Sequence, residues 1–189
     1  MLSLLPTALK TEVRNLEIGS KIVYPMHGAG EVVGIEENEV GGVKQSYYVL
    51  HLSMGNLKLM LPVDKVEEMG LRPIIDKAQI PAVAEVLEGR TERSFGSWNK
   101  RFHATLDRLK SGDILEVAAV ARNISRQSIT RKISSGERRL MELARQILIS
   151  ELVCVFNKNS DEVTHWVDEH IARKADDDED FEGETEAEE

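Results

Sequence analysis

The chain has 189 residues with 41% hydrophobic and 30% charged side chains, enough for one large domain or two small ones with real cores. It contains no uncharged apolar run of the length a membrane span needs. Its single cysteine, Cys154, excludes an intramolecular disulfide and a cysteine metal cage, which fits a reducing cytoplasm.

The formal net charge of −9 is unevenly spread. Residues 176–189, DDDEDFEGETEAEE, hold ten acidic side chains and no basic ones, leaving 24 basic against 23 acidic residues in the rest of the chain. Such a segment repels itself and has little apolar surface to bury, so a disordered acidic tail is expected. It serves solubility, or it competes with nucleic acid for a basic face; the sequence leaves both open.

At the other end, MLSLLPTALKTEVRN has a short apolar stretch with its charges after it, the reverse of a secretory signal. Residues 1–15 read as an N-terminal extension with room for one turn of helix. From Leu16 to about Ile75 the pattern is β-like: IGSKIVYP, AGEVVGIEENEV, KQSYYVLHLS and NLKLMLPVD, separated by Gly- or Asn-containing breaks. Val40-Gly41-Gly42-Val43 reads as a hairpin turn and Met54-Gly55-Asn56 as another. Leu57, Leu59 and Leu61 alternate with Lys58 and Met60, which predicts one buried face. Four or five short strands with one buried face suit a small barrel or strongly twisted sheet.

The period changes after Pro73, and a linker from Arg72 to Lys77 is the expected boundary. AQIPAVAEVLEG predicts a short helix with Pro81 in its first turn. Ser97 is the expected N-cap of WNKRFHATLDRLKSG, and Asp113 of ILEVAAVARNIS. Ser134 or Ser135, with Glu137 following, opens a longer helix to about Phe156, and a last helix runs from about Asp161 to Arg173. The second half, 77–175, is thus an all-α bundle of four or five helices.

Between Arg90 and Glu151 there are thirteen Lys and Arg against seven Asp and Glu. A basic helical module in an otherwise neutral chain is the footprint of a phosphate-backbone binder. Solvated helix faces with local ion pairs would give the same count, so composition alone does not decide.

Enzyme chemistry finds no foothold. The five histidines lack the spacing of a helical zinc site, and Gly28-Ala29-Gly30 lacks the third glycine and the helix of a dinucleotide loop. It is better read as a bend where strands approach closely. No metal, cofactor or catalytic residue is predicted. Trp98, in GSWNKR, stands at a helix start beside Lys100 and Arg101. A tryptophan is more often core than functional, yet an aromatic at a helix tip ringed by cations is placed to meet a base step. Trp166, in THWVDEHI, lies on an amphipathic helix and is read as structural.

IGSKIVYPMHGAGEVVGIE with YYVLHLSMGNLKLMLPVDKVEEMGLR resembles the N-terminal domain of the CarD/CdnL family of bacterial transcription regulators. SWNKRFHATLDRLKSGDILEVAAVARNI with SSGERRLMELARQILISEL resembles that family's helical domain. The likeness spans about Leu16 to Phe156 in order, so it involves both halves. It implies an α+β fold in which an N-terminal Tudor-like small β barrel (16–75) docks on the β subunit of RNA polymerase. A helical DNA-binding domain (77–175) meets promoter DNA at the upstream edge of the −10 region. There the family wedges a tryptophan into the minor groove and stabilises the open complex.

The resemblance assigns DNA contact to Trp98, Lys100, Arg101, His103 and Arg138, and polymerase contact to the outer face bearing Asn38, Lys58, Met60 and Pro62. Some relatives carry arginines at the positions matching Asn38 and Met60, so contact here is apolar at Met60, with Lys58 offering charge. His103 departs from a permanent cation. The expected protein is a monomeric, cytoplasmic, nucleoid-associated regulator without enzyme activity. Two rivals stay open: a polymerase-binding module whose helices touch only protein, and an architectural DNA-binding protein that needs no polymerase.

Overall fold

The computed structural model describes residues 16–40, 42–92 and 96–173; the N-terminal extension and the acidic tail lie outside them. Five strands come first: β1 (Lys21–Tyr24), β2 (Gly28–Val40), β3 (Val43–Leu52), β4 (Leu57–Pro62) and β5 (Arg72–Pro73). They form one antiparallel sheet in the order β4-β3-β2-β1-β5. The two predicted turns join β2 to β3, with Gly42 at a φ of 82°, and β3 to β4.

Alternation splits the sheet into two sides. Ile22, Val32, Tyr48, Leu50 and Leu61 point one way and close over Leu16, Val66 and Leu71. Leu57 and Leu59 share that side, but burial fades toward the strand start, where Leu57 is exposed. The other side is buried at one end, through Val23 and Ala29, and open at the other. A bulge between Val32 and Gly34 inserts Val33 and leaves it exposed.

The closed barrel that the resemblance implies is not what the pairing shows. β4 and β5 are the two edges, and the sheet is open between them. β5 has only two residues, and Pro73 has no N–H to give a neighbour. The segment between them fills the gap with side chains: Val66 and Leu71 are 1% exposed and plug the core.

Five α-helices follow among the described residues: α1 (Ile80–Glu88), α2 (Trp98–Lys110), α3 (Ile114–Thr130), α4 (Ser135–Phe156) and α5 (Ser160–Ala172). Their starts match their caps. Pro81 lies in the first turn of α1. The Asp113 carboxylate accepts the Leu115 N–H at 2.8 Å. Ser134 with Glu137 and Asn159 with Glu162 form reciprocal capping boxes for α4 and α5. Ser97 stands at the N-cap of α2 without a side-chain capping bond.

The helical core centres on α3 and α4, where Val117, Ala121, Ala144, Leu148 and Leu152 meet Leu87, Leu109 and Val167. Each fully buried leucine contributes about 1.5–3 kcal/mol. Trp166 packs edge-on to Phe156 and over His170, consistent with its structural reading.

Candidate nucleic-acid interface

Not every basic residue of the helical half faces solvent. Arg126, in α3, is buried and donates to the carbonyls of Leu87 and Gly89 at the C-terminal end of α1 and of Ile171 and Arg173 at the C-terminal end of α5. Helix ends leave such carbonyls unpaired, and a cation suits their partial negative charge. Arg122 donates to Val86 O, Glu92 and Asn123. Arg108 bridges Glu92 and Glu116, and Arg145 pairs with Asp168. These four arginines hold the bundle together.

Of the remaining cations, Lys100, Arg101, Arg138 and Arg139 lie in the first two turns of α2 and α4. Trp98 opens α2, is 43% exposed, and has its ring fixed on three sides. Its ring stacks on Phe102, one turn on, with centroids 5.1 Å apart and planes at 23°. Its Nε1 donates to Ser134 Oγ at 3.3 Å. Its Cζ2 edge lies over Gly136, where a Cβ would stand only 3.0 Å away. The missing side chain of Gly136 lets the indole lie across the first turn of α4.

That turn has its own electrostatics. Glu137 returns the Ser134 cap and takes Arg131 at 2.8 Å. Burial opposes its charge, but the hydrogen bonds from Arg131 and Ser134 outweigh this and hold the carboxyl down at about 2.

The structure brings only part of the predicted set together. Arg101 lies one turn along α2 from Trp98 and donates to Gly96 O at 2.5 Å. At about 100° per residue, Lys100 and His103 fall on the outward side of the helix, away from the indole. Both are exposed, and the His103 ring meets Phe102 edge-on. Arg138 is exposed on the first turns of α4, but Arg139 lines the shallow groove beside Trp98 with Phe102, Ser134 and Gly136. Neither Arg138 nor Arg139 has an ion pair among the described residues.

Arg139, Phe102, Ser134 and Gly136 are therefore additions to the residues that the sequence pointed to. The doubled arginine was visible, but which of the two shares the tryptophan's groove depends on how α2 crosses α4. At the first turn, a half-exposed aromatic edge, exposed cations and a helix N-terminus face the same solvent.

On the sheet, Asn38, Lys58, Met60 and Pro62 fall on one side by register: Asn38 pairs with Gln45, while Lys58, Met60 and Pro62 pair with His51, Val49 and Tyr47. This is the open part of the outer face. Met60 is 40% exposed and Val33, on the bulge, 46%. Lys58 is 3.8 Å from the Glu36 carboxylate, both well exposed, so its charge is shared with an acidic neighbour. Among the described residues, no cluster of His, Cys, Asp and Glu is arranged to hold a metal ion. No helix among them is long and apolar enough to cross a membrane.

Comparison with known proteins identifies both halves. Residues 16–75 match the CarD-like/TRCF RID domain and residues 82–168 the C-terminal domain of CarD. A Bacillus subtilis (strain 168) protein named "Putative transcription factor YdeB" is 35% identical over 137 residues, which is 72% of this chain and 89% of that protein. The transcription-repair-coupling factor of the same organism is 35% identical over 54 residues, 29% of this chain and 4% of that protein. The solved structure "CdnLNt from Myxoccoccus xanthus" is 46% identical, covering 33% of this chain and 89% of that one, with a TM-score of 0.30. With both halves matched in order and a full-length relative at this identity, the chain belongs to the CarD/CdnL family of transcription regulators.

Proposed function

We propose that this regulator binds RNA polymerase through the open outer face of its sheet and grips promoter DNA with the Trp98 end of its helical half. The polymerase contact is the β subunit, through Asn38, Lys58, Met60 and Pro62. The DNA contact lies at the upstream edge of the −10 region. There Trp98 wedges into the minor groove while Lys100, Arg101, His103, Arg138 and Arg139 line the phosphates. The β half, though open in its strand pairing, serves as the family's Tudor-like docking module.

One observation carries the reading: Trp98 presents a half-exposed edge while Phe102, Ser134 and Gly136 fix its plane. A tryptophan kept for packing alone would be covered; one held rigid yet open is already arranged to insert, so little ordering entropy is lost on binding. Polymerase docking supplies the local concentration that makes weak, sequence-tolerant DNA contacts sufficient. Insertion suits a junction already partly unstacked, so the protein binds the melted promoter better than the closed duplex and shifts the equilibrium toward melting.

Permanganate reactivity of promoter thymines tests the polymerase contact. The protein raises reactivity in the presence of polymerase, and Met60→Glu, which puts a charge into the apolar contact, loses that gain while DNA binding without polymerase persists. Full activity of Met60→Glu would remove this face from the interface.

A further inference from the structure

Between the sheet and the bundle runs a buried seam that none of these contacts uses. Glu151, near the C-terminal end of α4, is 0% exposed. Its Oε1 accepts from Arg72 at 2.6 Å and from the Ile75 N–H at 3.0 Å, and its Oε2 from Arg72 at 2.8 Å. Arg72 belongs to the last strand of the sheet, and its Nε also donates to Gly112 O at 2.6 Å, in the turn between α2 and α3. One guanidinium thus joins the sheet to two separate parts of the bundle.

A second latch lies beside the first. The Ala29 N–H of β2 donates to Ser150 Oγ at 2.9 Å, one residue from Glu151. A Cβ on Gly28 would stand 2.5 Å from that hydroxyl, and one on Gly112 would stand 3.1 Å from Pro25. Cys154, one turn further along α4, continues the seam: burial pushes its thiol up, while Lys21 of β1 and Glu31 of β2 act on it from the sheet.

A buried ion pair is a poor source of net stability, because desolvation takes back most of the attraction. What a bidentate pair does supply is direction: two parallel hydrogen bonds hold only one relative orientation.

We infer that Arg72 and Glu151 are positioning residues that lock the sheet and the bundle at one angle, fixing the span between the polymerase-docking face and the Trp98 edge. The inference rests on the two-contact reading above. A tether delivers its full effective concentration only when its span matches the two sites, so a fixed span sets where on the promoter Trp98 arrives.

The test uses the full chain in a Cys154→Ala background, with spin labels at Lys44→Cys in the hairpin and His165→Cys on α5, both exposed sites. Pulsed dipolar spectroscopy gives one narrow distance distribution for this background. Glu151→Gln broadens it, and so does the double variant Arg72→Met/Glu151→Met. The double variant keeps side-chain volume and apolar packing, so it folds even if Glu151→Gln does not.

In parallel, the double variant without labels keeps its affinity for polymerase alone and for DNA alone, while the gain in open-complex lifetime falls on the order of tenfold. Unchanged narrow distributions in both variants would overturn the proposal, as would a broadened distribution with full lifetime gain. If the unsubstituted protein gives no lifetime gain, the two-contact reading has failed, and the distance arm still decides whether the pair sets the angle.

Discussion

Trp98 shows how little of a candidate functional residue's environment lies in its own neighbourhood of the sequence. Its type and polar flanks marked it, but its orientation comes from Ser134 and Gly136, some 36 residues away. Gly136 gives a sharp prediction. Gly136→Ala puts a better helix former in the first turn of α4, a gain smaller than the roughly 1 kcal/mol of a helix interior, so thermal stability holds. The new Cβ crowds Cζ2 and turns the indole off its seat, so DNA binding and open-complex stabilisation both drop. Fluorescence of Trp98 in a Trp166→Phe background reports the movement, and an unchanged spectrum with wild-type activity would show that the seat is not needed. Glu151 escapes sequence reading for a related reason: in ILISELVCVF it reads as one charge on a helix, and its partner Arg72 is 79 residues away.

At the scale of elements, the helices were the most legible part, because caps are local. Ser134 with Glu137 and Asp113 lie where their backbone donors require them. The sheet was legible in its strands and turns but not in its closure, because Pro73 and the short β5 leave the edges unpaired and loop side chains finish the core. The cap at Glu137 carries a pH signature. Its carboxyl sits at about 2 in the folded protein against an ordinary 4.5, so its contribution is complete above 4.5 and is lost as pH falls through about 2. Urea unfolding across that window shows a shallower loss of stability for Glu137→Gln than for the native chain; equal slopes would mean that the Arg131 and Ser134 contacts do not hold in solution.

The basic count shows the same limit. Thirteen cations in one segment suggested a phosphate-binding surface, yet Arg108, Arg122, Arg126 and Arg145 are committed to the bundle. Those left at the α2–α4 end define a smaller patch. Replacing Arg138 or Arg139 by Ala is expected to weaken duplex binding and to lower the slope of log affinity against log salt by about 0.9 for each phosphate no longer neutralised. If Arg139→Ala leaves the slope untouched while Arg138→Ala lowers it, the groove beside Trp98 is not where the backbone runs.

Across the whole molecule, the chain places an open sheet face and a half-exposed indole on two halves joined by a buried polar seam. The order of the halves and their family were readable from residue patterns; the seam was not, because it pairs residues from β2, β5, the α2–α3 turn and α4. In the proposed function, Trp98 favours the melted promoter once the other half is docked on polymerase. The lifetime of a promoter open complex challenged with competitor DNA, with no factor, with the native chain and with Trp98→Ala, measures that preference. The native chain is expected to lengthen the lifetime and the variant to lose that gain, on the order of 1–3 kcal/mol of preference, as for removal of one aromatic–base stack. A Trp98→Ala protein that prolongs the open complex as well as the native chain would contradict the proposed function.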